Sequence, residues 1–94
     1  MVVGLCTIKL SIPAARSLKD KRAIIKPILA RLRRDFNVSV AEVEDNDAWH
    51  SATLAMACVS GDAAYAHGLL TLAVKAVDQG HWEAELLDYS IEML

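Results

Sequence analysis

Basic residues that could hold phosphate groups are crowded into one stretch of this chain. Eight of the ten Lys and Arg residues lie between Arg16 and Arg34, although the formal net charge of the 94 residues is −2. Residues 1–34 hold nine bases against one acid, and residues 35–94 hold one base against eleven acids. The net charge argues against a polyanionic partner, whereas this segregation of charge permits one.

The spacing of four of these cations predicts a continuous charged surface. On a helix that begins at Leu18, with about 100° per residue, they fall within an arc of about 60°. They form the basic ridge: Lys19, Arg22, Lys26 and Arg33. Long cationic side chains spaced along a rod suit contacts to a phosphate backbone. The alternative is a solvated helix face whose cations pair with the acidic remainder of the chain, and the sequence leaves both open.

A second group of residues could bind a metal ion or act in catalysis. The segment EVEDND supplies the oxygen ligands that Ca²⁺ favours, but it lacks the Gly and the closing Glu of an EF-hand loop. We interpret it as a solvated turn, and its carboxylates come from Glu42, Glu44, Asp45 and Asp47. The histidines show no metal-ligand spacing, and no nucleophile–base pair is visible. We predict no metal, no organic cofactor and no enzymatic activity.

The elements that carry these residues begin with a strand and a helix. The segment VVGLCTIKLSI (2–12) is β-branched and broadly alternating, which predicts a strand. Ser17 is a good helix N-cap, with Asp20 in the capping-box position. From there apolar residues recur at helical spacing to Phe36. Lys21 falls among these apolar positions, so its ammonium group must reach solvent or pair.

The remaining segments predict a hairpin, a second helix and a last strand. Segments 37–45 and 49–60 read as the two strands of the hairpin. The residues SGD at 60–62 offer an N-cap for a helix that Gly80 ends. Segment 81–94 closes the chain as a strand, and its change of parity near Leu86 predicts a bulge.

The order β-α-β-β-α-β predicts one α+β domain over residues 1–94. With right-handed crossovers it folds as a ferredoxin-like βαββαβ sandwich, with two helices on one face of a four-stranded antiparallel sheet. The first and third strands then pair at the centre, which makes Cys6 and Cys58 neighbours in the reduced state. Neither central strand carries an aromatic residue, which argues against an RNA-recognition motif of the usual base-stacking kind.

The sheet face opposite the helices is predicted to be apolar. Its parity gives small and branched side chains: Val3, Leu5, Thr7, Ala41, Val43, Ala55, Ala57 and Val59. Such a face suggests a covered surface, and we expect a homodimer formed through it or through an edge strand. No signal peptide or membrane-spanning segment is apparent, so we expect a cytoplasmic protein.

The runs RSLKDKRAIIKPILARLRRDFNVSVAEVED, DAW and VSGD resemble the YlxP-like family of small bacterial proteins. That family is catalogued as a domain of unknown function and has no established catalytic residues. The resemblance implies a ferredoxin-like fold. Its members tend to be encoded beside translation and ribosome-maturation genes, which implies an RNA-related role. The leading hypothesis is therefore binding to RNA or a ribosomal particle through the basic ridge, and the alternative is a homodimeric protein-interaction module that binds no nucleic acid.

Overall fold

The six predicted elements occur in the predicted order in the computed structural model, which describes residues 1–44 and 47–94. They are β1 (Val2–Ser11), α1 (Leu18–Asp35), β2 (Ser39–Glu44), β3 (Ser51–Ser60), α2 (Ala63–Gln79) and β4 (Glu85–Met93). The strands form one antiparallel sheet in the order β2-β3-β1-β4. This arrangement confirms the predicted ferredoxin-like sandwich.

The core lies between the helices and one face of the sheet. Alternate residues of β1 point into it, and Cys6, Ile8 and Leu10 are buried there. Burial raises the pKa of the Cys6 thiol to about 11. Both cysteines are free, as predicted, and lie on adjacent strands. They are diagonal neighbours, because Cys6 lies opposite Met56 and Cys58 lies opposite Gly4.

The first helix begins where its capping residues predict. Ser17 Oγ accepts the backbone N–H of Asp20 at 3.0 Å, and the Asp20 carboxylate accepts the backbone N–H of Arg16 at 3.0 Å. These bonds satisfy donors that a helix N-terminus leaves unpaired. The helix continues through Pro27, which lies on its exposed side. The opposite side buries apolar residues against the sheet: Ile25, Ile28 and Leu32.

The hairpin strands are shorter than predicted, and their pairing contains a register shift. β2 starts at Ser39 and not at residue 37, and its pairing with β3 shifts between Glu42 and Glu44. Before the shift Glu42 lies opposite Leu54, a buried residue on the helix side of the sheet. Glu42 therefore faces α1, on the same side of β2 as Val40, a placement that the predicted turn did not include.

The second helix is capped at both ends by the predicted segments. Asp62 Oδ1 accepts the backbone N–H of Ala64 at 3.0 Å, and Gly80 is the C-terminal cap. Gly80 has φ −73°, so a left-handed conformation does not explain the glycine. A Cβ there would overlap the indole of Trp82, whose Nε1 donates to Val77 O at 2.9 Å.

The last strand begins later than predicted, because residues 81–84 precede it and the strand covers Glu85–Met93. Trp82, which the sequence placed on that strand, packs against the core at the end of α2. The predicted bulge is confirmed. Leu86 lies opposite Leu10 and Asp88 opposite Lys9, which leaves Leu87 as the extra residue. None of the helices in the described residues is long and apolar enough to cross a bilayer.

Candidate nucleic-acid interface

The basic ridge lies along the side of α1 that adjoins β2. All four of its side chains, from Lys19, Arg22, Lys26 and Arg33, belong to exposed residues. Arg22, Lys26 and Arg33 line a groove of about 230 Å³ together with Ile25, Leu29 and Glu42. Lys19 stands outside the groove, one turn nearer the start of α1. The structure therefore brings three of the four predicted residues into one concave surface.

The ridge cations differ from the other cations of α1 in their partners. Within residues 1–44 and 47–94, no hydrogen bond or ion pair involves the side-chain nitrogens of Lys19, Arg22 or Lys26. Three cations of the same helix do have acidic partners: Lys21, Arg31 and Arg34. The alternative in which the ridge pairs with the acidic remainder of the chain is not seen in the described residues.

Arg33 is the ridge residue that the fold holds in place. Its Nη2 donates to Val40 O at 2.9 Å, which joins the end of α1 to β2. A guanidinium group carries five N–H donors in a planar fork, so one bond to a carbonyl leaves others able to meet an anion. The bond fixes this charge at the rim of the groove.

Lys21 is a buried cation that joins α1 to the hairpin. Its side chain is 1% exposed. Its Nζ donates to Ala48 O at 2.6 Å and to Ser51 O at 3.0 Å. It also lies 2.8 Å from Glu42 Oε2, a charge contact that lacks hydrogen-bond alignment. Of the two outcomes that the sequence left open for this ammonium group, pairing is the one observed.

The ion pair with Lys21 also changes the electrostatics of the groove. An unpaired carboxylate at Glu42 would repel a phosphate from the surface that Arg22 and Lys26 line. Lys21 faces that carboxylate from inside the core and offsets its charge. Sequence reasoning treated Glu42 as part of a solvated turn, and that interpretation was wrong. The missed signal is a lysine in an apolar helix stripe together with an acid two residues after Val40, on the buried parity of β2.

Arg31 and Arg34, the arginines of α1 that do not belong to the basic ridge, both pair with Asp35 at the end of the helix. Arg34 Nε lies 2.9 Å from Asp35 Oδ1, and Arg31 Nε lies 3.3 Å from Asp35 Oδ2. The hydrogen bond from Arg34 lowers the pKa of Asp35 below its usual value, and the same bond raises the pKa of Arg34. Arg31 Cζ also lies 6.0 Å from the ring centroid of Trp82. These arginines therefore have an acidic partner, which Lys19, Arg22 and Lys26 lack among the described residues.

The acidic turn forms no metal site in the part of the chain that the structure describes. Glu42 faces Lys21, whereas Glu44 and Asp47 are exposed, and Asp45 lies outside the described residues. No group of three or more His, Cys, Asp or Glu side chains among the described residues could hold a metal ion.

The open face of the sheet has the composition that its parity predicts. Three pairs lie across its centre: Val3 with Val59, Leu5 with Ala57, and Thr7 with Ala55. β4 adds polar residues along one flank, because Leu5 lies opposite Glu92 and Lys9 lies opposite Asp88. The central strands, β1 and β3, carry no aromatic side chain. The two central strands therefore offer bases no aromatic stacking platform.

Comparisons with known proteins give a family and a fold. A family model described as "Protein of unknown function (DUF503)" matches residues 3–91. The uncharacterized protein YlxP of Bacillus subtilis (strain 168) is 39% identical over 59 residues, which cover 63% of this chain and 64% of that protein. The aligned region thus spans slightly less than two thirds of this relative.

Two designed proteins share the architecture. The de novo designed protein LFR1 1, with a ferredoxin fold solved by NMR, superposes with a TM-score of 0.58 at 10% identity, covering 100% of this chain and 84% of its own. The de novo designed protein Foldit4 superposes with a TM-score of 0.53 at 11% identity, covering 100% of this chain and 97% of its own. At such low identity these neighbours establish the fold alone.

Proposed function

We propose that this chain, which belongs to the DUF503 family, binds single-stranded RNA through the basic ridge of α1. The observation that carries the proposal is the contrast in partners along one helix. Lys21, Arg31 and Arg34 are paired with acids, whereas Lys19, Arg22 and Lys26 have no such partner among the described residues. Charge held beside a groove and left unneutralised suits a polyanion.

The groove favours contacts to the RNA backbone over reading of bases. The ridge runs from Lys19 to Arg33, about 21 Å along the helix axis. Contacts from Lys and Arg to phosphates position a nucleic acid without reading its sequence. Single-stranded binders commonly stack bases on aromatic side chains, whereas this groove carries Ile25 and Leu29 between its cations. We therefore propose binding with little preference for sequence, to free RNA or to exposed strands of a ribosomal particle in the cytoplasm.

We propose a binding role without catalysis. Thr71 Oγ1 lies 3.5 Å from His67 Nδ1, which is the kind of contact that could activate a nucleophile. The Thr71 hydroxyl, however, donates to His67 O at 2.9 Å, and both residues are exposed on α2. Its proton is thus engaged by a backbone carbonyl and not by the imidazole.

The test compares two variants that remove equal charge. The ridge variant is Lys19→Ala/Arg22→Ala/Lys26→Ala, and the control is Lys9→Ala/Arg31→Ala/Arg34→Ala. Binding to a single-stranded oligo(U) of about 12 nucleotides is measured by fluorescence anisotropy over a range of salt concentrations. Each phosphate contact contributes about −0.7 to the slope of log K against log salt. We expect about −3 for the wild type and the control, and about −1 for the ridge variant.

Arg33 is left intact in that variant because its bond to Val40 also holds the fold. If the ridge variant binds oligo(U) with the affinity and slope of the wild type, the ridge is a solvated face and the RNA proposal is wrong. If the wild type shows no binding at low salt, the proposal is wrong as well.

A second candidate function is recognition of an acidic protein segment. The observation in its favour is that Ile25 and Leu29 supply apolar surface between the cations of the groove. A pull-down from lysate with and without RNase separates the two candidates. Partners that RNase releases support the RNA proposal, and partners that survive RNase but are lost from the ridge variant support the protein segment.

A further inference from the structure

The outward face of α2 carries apolar side chains that nothing in the described chain covers. Tyr65 is 64% exposed and Leu72 is 57% exposed. Both border a hollow of about 640 Å³ whose lining includes Gly68. The opposite side of α2 already supplies the core, through Leu70, Val74 and Val77 among others. Large exposed apolar side chains grouped on one helix face are typical of an interaction surface.

Gly68 is a second indication that the outward face of α2 contacts another molecule. A glycine inside a helix is about 1 kcal/mol less favourable than alanine. A Cβ at Gly68 would meet no other atom within 4 Å, so the packing of this chain does not require the glycine. Glycine at such a position permits the close approach of another backbone. The backbone that approaches must then come from another molecule.

The residues around Gly68 have the symmetry that two antiparallel copies of α2 need. Consider a two-fold axis between Gly68 and Leu69. Tyr65 lies three residues before Gly68 and Leu72 three residues after Leu69, so the axis places Tyr65 against Leu72 of the second copy. Asp62 lies six residues before Gly68 and Lys75 six residues after Leu69. Each end of the contact then brings a carboxylate to an ammonium group, while the helix dipoles run antiparallel.

We propose that this protein forms a homodimer through the outward face of α2, with two antiparallel copies of the helix in contact at Gly68. An isologous interface must be complementary to itself, and this face meets that condition in shape and in charge. Gly68 lies at its centre, Tyr65 and Leu72 flank it, and its two ends carry opposite charge.

The open sheet face is the competing surface for a dimer. Val59 is 68% exposed there, but its neighbours across the centre are already half-buried by one another. Exposed Asp88 and Glu92 line one flank, and Lys9 is the exposed base that faces this flank from β1. The sheet face therefore presents less protruding apolar surface and a less balanced set of charges than the outward face of α2. The helix pair is the better match for a second copy.

The two proposals concern separate surfaces. The ridge adjoins β2, whereas α2 packs over β1 and β4. Dimerisation goes beyond the RNA proposal and does not depend on it, because association is measured without RNA.

The test measures mass in solution by sedimentation equilibrium up to about 300 µM, since a pair of helices buries less than the ~800 Å² per partner of a standard interface. The disruptive variant is Leu72→Glu. Its matched control is Leu87→Glu, because Leu87 is 63% exposed at the β4 bulge, away from α2. A third variant, Val59→Lys, charges the sheet face. We expect the wild type, Leu87→Glu and Val59→Lys to dimerise, and Leu72→Glu to dissociate about a hundredfold more readily.

Gly68→Ala gives an independent test of the dimer interface if Leu72→Glu folds poorly. Its methyl group fits the monomer but separates the two helices, so it should raise the melting temperature of the monomer at low concentration and weaken the dimer. A wild type that stays monomeric to 300 µM overturns the proposal. A dimer that survives both Leu72→Glu and Gly68→Ala but is lost in Val59→Lys overturns it in favour of the sheet face.

Discussion

The two helices belong to one layer of the sandwich, but their outward faces differ in composition. α1 exposes cations in a row, and α2 exposes Tyr65 and Leu72 around a glycine. Both helices bury an apolar stripe against the same sheet. The sides that face away from the sheet differ, and this difference is the basis of the two proposals: a polyanion for α1 and a second copy of the helix for α2.

The largest expected effect separates the buried cation of α1 from the exposed ones. Lys21→Met should lower the free energy of unfolding by about 3 kcal/mol, because it leaves Glu42 and two backbone carbonyls without their partner. Lys19→Met, two residues earlier on the exposed side, should change it by no more than about 0.5 kcal/mol. Urea denaturation measures both. Equal effects would show that burial does not distinguish these two lysines.

Two glycines extend the comparison to the second helix: Gly68 lies within α2, and Gly80 is its C-terminal cap. Gly80→Ala should destabilise the fold by about 2 kcal/mol, because the new methyl group overlaps the Trp82 indole. Gly68→Ala should stabilise the monomer by about 1 kcal/mol, since its Cβ meets open space. Thermal unfolding at low protein concentration gives both values. A destabilising Gly68→Ala would mean that the monomer itself needs this glycine.

Substitutions on the outward faces of α1 and α2 should affect different properties, RNA binding and dimerisation respectively. Lys26→Glu should weaken oligo(U) binding about tenfold at low salt and leave dimerisation unchanged, because it reverses one ridge charge. Leu72→Glu should leave the affinity for a short oligo(U) within about twofold and weaken the dimer about a hundredfold, although both variants change the net charge toward acidic values. Anisotropy and sedimentation on the same samples test this. Loss of both properties in either variant would contradict separate surfaces.

The smallest effect concerns Asp35, which pairs the arginines that lie off the ridge. Hydrogen bonding to Arg34 lowers the pKa of Asp35 below its ordinary value of 3.8 in the folded state. A lowered folded-state pKa contributes stability above pH 3.8, and this contribution disappears as the pH falls through the folded-state value. Asp35→Asn should therefore shift the urea midpoint slightly at pH 7, and this shift should shrink as the pH falls below 3.8. A shift that does not shrink with falling pH would contradict ionisation as its source.

Sequence reasoning reached the elements and the fold because both follow from local periodicity. Neighbouring residues are enough to recognise the alternation of β1, the apolar stripe of α1, its cap at Ser17 and the bulge at Leu87. The basic ridge was accessible for the same reason, since one helix carries all four of its residues. The outward face of α2 was missed, although Gly68 between Tyr65 and Leu72 was a signal for it.

By itself the sequence determined the βαββαβ order, the inward parity of the strands and the row of cations, because each depends on spacing within one segment. Only the tertiary structure decided that Lys21 pairs with Glu42 and that Trp82 occupies the space at Gly80. These contacts join different elements. Lys21 and Ser51 are thirty residues apart, and their meeting depends on how α1 packs over the hairpin and on the register shift after Glu42. A one-residue change of register would turn the Glu42 side chain to the other face of the sheet.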